Sequence, residues 1–425
     1  MDSLPQRTQE KKRDAVRLAY LVSHPIQYQA PLLRRIAREP DIDLTVFFGS
    51  DFSVRGYKDE GFGGVGVKWD VPLLDGYRYE FLPALRDNAT VSPTTPINYG
   101  ILSRLRGKDG DAPFDALWVH GYASINSLHA MFAARALGIP VLLRAESWLG
   151  DRERSSGKLA AKHLFFRALG KFVDGILPIG TLNDDYWRYY LGDNFPRFLM
   201  PYAVDNDYFQ KRSIEAAATR KQLQSDLNLD PDRPVILFAS KLQARKRCGD
   251  LLDAYKRLSP APGVEPHPYL VIVGDGEERA SLEQAARATG FSSIRFCGFR
   301  NQSELPRFFD LCSVFVLPSR HEPWGLIVNE VMNASRPVVV TDEVGCQRDL
   351  LTPGIEGEVF PAGDVEALAS ALSRILATPH IAQQMGQQAL ARIRSWSFEE
   401  DVRGLRNALA TVTRKIAHEP VHYAC

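Results

Sequence analysis

The chain has 425 residues, more than one compact core accommodates, so two domains of ordinary size are expected. Its 52 Lys and Arg balance 51 Asp and Glu, and 45% of residues are hydrophobic against 24% charged, a globular composition whose bulk charge does not point to nucleic acid as a partner. The opening MDSLPQRTQEKKRDAVR carries no apolar signal core, no later stretch offers about 18 uninterrupted apolar residues, and the five cysteines are scattered without CxxC spacing. The expectation is a reduced, cytoplasmic protein that is neither secreted nor membrane-spanning.

After a polar tail at 1–16, the runs RLAYLV, DLTVFFG, DALWVHG, PVLLRAE and GILPIG read as short buried strands separated by helical patterns, which is the signature of a parallel sheet. LVSHPIQYQAP and LWVHGY place His24 and His120 at strand ends, where doubly wound sheets bind ligands, and LLRAES places Arg144 and Glu146 at the end of the next strand. A lone histidine is more often a structural hydrogen-bonder than a catalyst, so both readings stay open for this pair. The segment FSVRGYKDEGFGGVGVKWDVPLLDGY, residues 52–77, is rich in glycine and aromatics and long for a strand-to-helix connection, so it is read as a mobile or cleft-lining element. The basic stretch 154–172 sets Lys158, Lys162, Arg167 and Lys171 around Leu164, Phe165, Phe166 and Leu169. It is read first as a surface helix packed on the first sheet, and second as one lying weakly on anionic lipid.

The strand series restarts after the polar stretch beginning DNDYFQKRSIEAA, which places the junction near Pro201 to Asp205 and divides the chain into 17–203 and 204–394. The runs PVILFAS, YLVIVGDG, SIRFCG, SVFVLPS and PVVVTDE follow, and the tail 395–425 reads as an amphipathic helix packing back across the molecule. FASKLQARKRCGDLLDAY puts Lys241 and Lys246 just past a strand, at the mouth of a cleft. In VIVGDG, Gly274 and Gly276 suit a tight turn, and without a third glycine they are not a dinucleotide fingerprint. Phe299 and Arg300 lie just past the next strand. In PSRHEPWGLIVNE, Gly325 opens a helix whose first N–H groups, near Leu326 and Ile327, lack intrahelical partners and suit a diphosphate. Glu330 follows on an otherwise apolar helix and needs a partner such as a ribose diol, while Glu322 precedes the helix. The plainer alternative is that Glu322 favours the helix N-terminus and Glu330 pairs with an arginine.

HEPWGLIVNE, two glutamates separated by seven residues and followed by PVVVT, resembles glycosyltransferase family 4, the retaining glycosyl transferases group 1. The resemblance covers nearly the whole chain after the tail and is best in the second domain. It implies the α/β GT-B fold: two Rossmann-like doubly wound domains facing a deep cleft, with a C-terminal helix crossing back to the first. It further implies transfer of a sugar, with retention, from a nucleotide-diphosphate donor to a glycan, lipid-linked or small-molecule acceptor, as in polysaccharide or glycolipid assembly at the inner membrane face, with no cofactor and no metal. By the same resemblance, Lys241, Lys246, Gly325 and Leu326 hold the diphosphate, Glu330 the ribose, and Phe299 and Arg300 the base. Glu322, Pro323, Trp324 and His120 contact the transferred sugar, with Glu322, His120 and Lys246 as the catalytic group, and His24, Arg144 and Glu146 serve the acceptor side. Two departures are visible: Ser240 and Lys241 stand where the family more often has Gly and Arg, and SHPIQY replaces a glycine-rich loop after the first strand. Two other activities fit the same residues, a nucleotide-sugar epimerase and a non-catalytic nucleotide-sugar-binding subunit.

Overall fold

The computed structural model describes residues 15–85, 91–107, 111–152, 155–258 and 267–418; residues 1–14 of the polar tail, Arg154 and Cys425 lie outside them, and the first strand already begins at Val16. The first sheet is built from β1 (Val16–Val22) and β2 (Ile42–Phe48), then, past a small antiparallel hairpin of β3 (Tyr57–Asp59) and β4 (Val65–Val67), from β5 (Arg78–Phe81), β6 (Ala116–His120), β7 (Val141–Arg144) and β8 (Gly175–Ile176). The second contains β9 (Val235–Ala239), β10 (Tyr269–Val273), β11 (Ile294–Phe296), β12 (Val314–Leu317), β13 (Val338–Thr341) and β14 (Gly357–Phe360). The orders are β5-β2-β1-β6-β7-β8 and β11-β10-β9-β12-β13-β14, with every neighbouring pair parallel.

Each sheet therefore runs outward in both directions from its first strand, and its direction of winding reverses between β1 and β6 in one domain and between β9 and β12 in the other. A crevice opens at the carboxyl ends of the strands at such a reversal. Residues just past β1, β6, β9 and β12 line the two crevices, which accounts for the grouping of motifs at those four ends.

Besides the hairpin strands β3 and β4, two strands of the main sheets were not expected from the sequence. β5 is RYEF, with Arg78 and Tyr79 exposed, and β14 is GEVF. Both are edge strands, which need no second apolar neighbour, so neither presents the continuous apolar run that marks β9, β10 and β12, where every residue is buried.

The C-terminal helix Phe398–Thr413 opens with a capping box between Ser397 and Glu400 and buries Val402, Leu405, Ala408 and Leu409 in the same core as β1 and β2. Its surface is tied to the first domain by Arg35 to Glu399 at 2.8 Å and Arg406 to Asp41 at 2.7 Å. The helix Ser156–Leu169 buries Phe166 and Leu169 while Leu164 is 71% exposed, so one face packs on the first domain and the other meets solvent. No helix among the described residues is long and apolar enough to cross a membrane.

Candidate active site in the interdomain cleft

A cavity of about 270 Å³ lies between the two domains, lined on the second-domain side by Ser240, Lys241, Arg245, Lys246, Gly274, Phe299, Arg300, Glu322, Gly325, Leu326 and Glu330. It brings together eight of the residues singled out from the sequence: Lys241, Lys246, Phe299, Arg300, Glu322, Gly325, Leu326 and Glu330. The backbone crosses itself tightly to do so. Gly274, at φ +137°, donates its N–H to Gly298 O, and a Cβ there would fall 1.9 Å from Ser240 O, so only glycine lets β9 and β10 exit side by side. Gly325 sits at φ +92° as the residue capping the short helix Leu326–Met332, a conformation that costs any residue with a Cβ.

The charges in the cavity are unevenly satisfied. Lys246 is 7% exposed and its Nζ contacts Glu322 Oε2, while Arg245 Nη1 reaches the same oxygen at 3.2 Å. Burial pushes the Lys246 ammonium below the ordinary lysine range, with Glu322 opposing the shift and Arg245 adding to it. Lys241 Nζ bonds both oxygens of Asp59, at 3.0 and 2.9 Å, and lies 4.7 Å from the centroid of the Phe62 ring, so it is held by the first domain. Glu330 has no hydrogen bond or ion pair among the described residues, and burial alone pushes its carboxyl up to about 8. The arginine partner that the plainer reading supplied for Glu330 is therefore not there. Among the described residues no three His, Cys, Asp or Glu side chains converge as a metal-holding group.

The first domain contributes a polar cluster behind the cavity wall. Tyr28 lines the cavity and donates to Glu146 Oε1 at 3.2 Å; Tyr202 donates to the same oxygen, and His120 Nε2 stands 3.5 Å from it. Burial raises the Glu146 carboxyl, but hydrogen bonds from His120, Tyr202 and Tyr28 outweigh it and the net position is below the usual carboxylate range. His24 shares a 2.9 Å contact with Ser23, and burial, reinforced by His120, pushes it down to about 4, so it is neutral at neutral pH. Neither His24, His120 nor Glu146 lines this cavity; Glu146 stands behind it, against the lining Tyr28.

Three further residues singled out from the sequence stand outside this cavity. Arg144 does not reach the cleft: it is 1% exposed, donates to the carbonyls of Met200 and Pro201 at 2.9 Å each, and pairs with Asp401 of the C-terminal helix at 3.2 Å. Trp324 is 3% exposed, stacks on Trp396 at 5.7 Å and 14°, and donates to Asn329 Oδ1 at 2.9 Å. Its ring serves the crossing between domains, since Asn329 and Trp396 both bond Tyr202 O at 3.0 Å. Pro323 does not line the cavity either; its carbonyl lies where a Cβ on Gly345 would stand, 1.9 Å away, so it packs against the turn after β13.

Other cavity residues were not singled out. Arg245 stands between two lysines that were. Gln27 and Tyr28 follow β1, Gln302 follows Arg300, and Phe62 and Trp69 come from the 52–77 segment, whose glycine and aromatic content marked the segment without saying which ring faces inward.

Comparison with known proteins bears on the second domain first. Residues 219–392 match the family described as Glycosyl transferases group 1. The match spans most of the second domain. It contains Lys241, Lys246, Glu322 and Glu330, so the cationic and acidic groups of the cavity all belong to it. Among curated proteins, the chain is 30% identical over 181 residues to alpha-D-kanosaminyltransferase of Streptomyces kanamyceticus, covering 42% of this chain and 46% of that one, so the match spans about half of the relative's length. It is 27% identical over 331 residues to the GDP-mannose-dependent alpha-mannosyltransferase of Mycobacterium tuberculosis, covering 76% and 78%. In fold, the chain is similar to Anabaena HepE solved in complex with UDP, with a TM-score of 0.69 at 14% identity over 93% of this chain and all of the other. The two domains together thus form the GT-B fold that the sequence resemblance implied.

Proposed function

We propose that the chain transfers a glycosyl group from a nucleoside-diphosphate sugar to an acceptor hydroxyl, with retention at the anomeric carbon. The carrying observation is that one interdomain cavity joins the cations Lys241, Arg245 and Lys246 to the Glu330 carboxyl, which has no partner among the described residues. A departing nucleoside diphosphate gains negative charge as its bond to the sugar breaks, and preorganised ammonium and guanidinium groups stabilise that charge more in the transition state than in the ground state. Glu330 accepts from the two ribose hydroxyls, which offsets its desolvation. Lys246 and Arg245 face the phosphates, and Lys241 exchanges Asp59 for a phosphate oxygen. The anomeric carbon–oxygen bond to phosphate breaks, the acceptor oxygen bonds the same face of that carbon, and the acceptor proton passes to the leaving phosphate. Glu322, held between Lys246 and Arg245, fixes both cations and faces the sugar. His120, oriented by Glu146 and Gln29, lies behind the sugar subsite. The scheme uses no metal, and turnover is expected to survive EDTA.

The mannosyltransferase relative and the UDP-bound neighbour support a nucleotide donor for this chain. The test is release of nucleoside diphosphate from UDP-, GDP-, ADP- and dTDP-sugars, with Glu330→Ala alongside and product anomers read by NMR. Release from one donor, lost in the variant, is expected. A change in the donor's sugar configuration with the diphosphate bond intact would replace transfer by epimerisation, and an inverted product anomer would remove retention.

The pH dependence of donor binding follows from Glu330. Its folded carboxyl titrates near 8, and a diol that donates two hydrogen bonds prefers the ionised form, so binding expels a proton. Donor KM should therefore fall as pH rises from about 6.5 to 8.5, and the slope should vanish in Glu330→Gln. The stability effect has the opposite sign. Because the folded pKa lies above the unfolded value, stability is lost as pH rises from the ordinary glutamate value toward 8, and Glu330→Gln should be more stable than the parent at pH 8 by on the order of 2 kcal/mol. A pH-independent KM in the parent would rule out the ribose role.

A further inference from the structure

We infer that the nucleobase of the donor is held by both domains, with Phe62 and Trp69 of the 52–77 segment forming the wall that faces the second domain. This rests on the donor reading above and adds to it a contribution from the first domain. Phe62 meets Phe299 edge to face at 4.8 Å, and both rings line the cavity together with Trp69. Aromatic walls stack flat heterocycles without regard to which base is present, whereas an anionic phosphate gains little from the negative face of a ring. One polar group completes the subsite: Gln302 lines the same cavity, and its buried side-chain oxygen has no hydrogen-bond partner among the described residues. A buried amide costs free energy until it is paired, and the edge of a base offers both donors and acceptors to pair it.

The segment is seated for this task. Lys68 O accepts from Asn301 Nδ2 at 2.7 Å and Asp70 accepts from the Ser303 hydroxyl, so the segment is stitched to the second domain on both sides of Trp69. Gly63 passes close to Gly276, where a Cβ on Gly63 would lie 3.5 Å from the backbone. These attachments fix the two rings over the exit of β11 with little freedom to lose on binding.

The experiment compares a whole nucleotide with its phosphate part. Affinities for UDP, GDP, ADP and dTDP, and for inorganic pyrophosphate, are measured by calorimetry on the full chain and on Phe62→Ala, Trp69→Ala and the milder Phe62→Leu. The expected result is that the alanine variants bind the preferred nucleoside diphosphate roughly ten- to a hundredfold more weakly, the loss of one stacking partner, while pyrophosphate changes by less than about twofold. Phe62→Tyr should restore the parent affinity, and Gln302→Ala should reduce the preference among the four bases. Equal weakening of nucleotide and pyrophosphate would mean that the segment only braces the cleft, and unchanged nucleotide binding would mean that the rings do not touch the base; either overturns the inference. If the parent binds pyrophosphate but none of the four nucleotides, the donor reading fails first, which is distinguishable because the variants are then not needed to see it.

Discussion

Lys246→Ala is expected to lower kcat by about 10²- to 10³-fold with a smaller change in donor KM, the loss typical of removing one preorganised charge from a transition state. The reason lies in where the ammonium sits. It is nearly out of solvent, against Glu322, so its field acts through protein rather than water and costs no reorganisation when the phosphate leaves. Arg245 remains within 3.2 Å of Glu322, so the glutamate keeps a partner in the variant and the fold should survive, with a melting temperature close to that of the parent. Steady-state kinetics with the donor that the release assay identifies, together with a thermal melt, check both parts. A kcat within about fivefold of the parent would remove Lys246 from the chemistry and leave it as the structural partner of Glu322.

The second large effect is on stability. Arg144→Ala should destabilise the chain by about 3–5 kcal/mol, because Asp401 is 0% exposed and would be left as an uncompensated buried charge. The same change strips the Met200 and Pro201 carbonyls of a donor at the point where the chain crosses between domains. Burial already pushes the Asp401 carboxyl up to about 7, and Arg144 is the group pulling it back. Without that pull the carboxyl rises further, the folded state binds a proton that the unfolded state does not, and stability falls as pH rises through the neutral range. The defect should accordingly be larger at pH 8 than at pH 5, read from urea midpoints at the two values. Arg144→Met combined with Asp401→Leu should recover most of the loss, since replacing both partners leaves no orphaned charge. A single variant within about 1 kcal/mol of the parent would show that the pair contributes little.

These two residues also show how sequence position misleads. Arg144 ends a strand beside Glu146, and Trp324 stands between Glu322 and Gly325, so both were grouped with the site. The structure turns Arg144 into the layer under the C-terminal helix and Trp324 onto Trp396. Residues two apart share a face only while a strand continues, and β7 ends at Arg144 before Glu146, while residues around a left-handed turn such as Gly325 diverge, so adjacency in a motif does not carry orientation. The two edge strands, β5 and β14, were missed for a related reason: an edge needs only one apolar face, and four residues of mixed character do not announce one. Phe62 and Trp69 were placed in a cleft-lining element but not in a base subsite, because only contacts across the domain gap identify their partners.

What the sequence by itself determined is the part governed by local rules. Buried strand runs at βα spacing demand parallel sheets, winding from the first strand puts ligand-binding loops past β1, β6, β9 and β12, and lysines and glutamates at those positions in the second domain imply an anion and a diol. What only the tertiary structure decided is which of those side chains share a volume. Lys246 and Glu322 lie 76 positions apart, Lys241 and Asp59 lie 182 apart, and Arg144 and Asp401 lie 257 apart. Pairings over such separations are set by how two rigid sheets dock and where the last helix returns, and the energy that selects them is buried area summed over whole domains, which no single stretch of the chain contains.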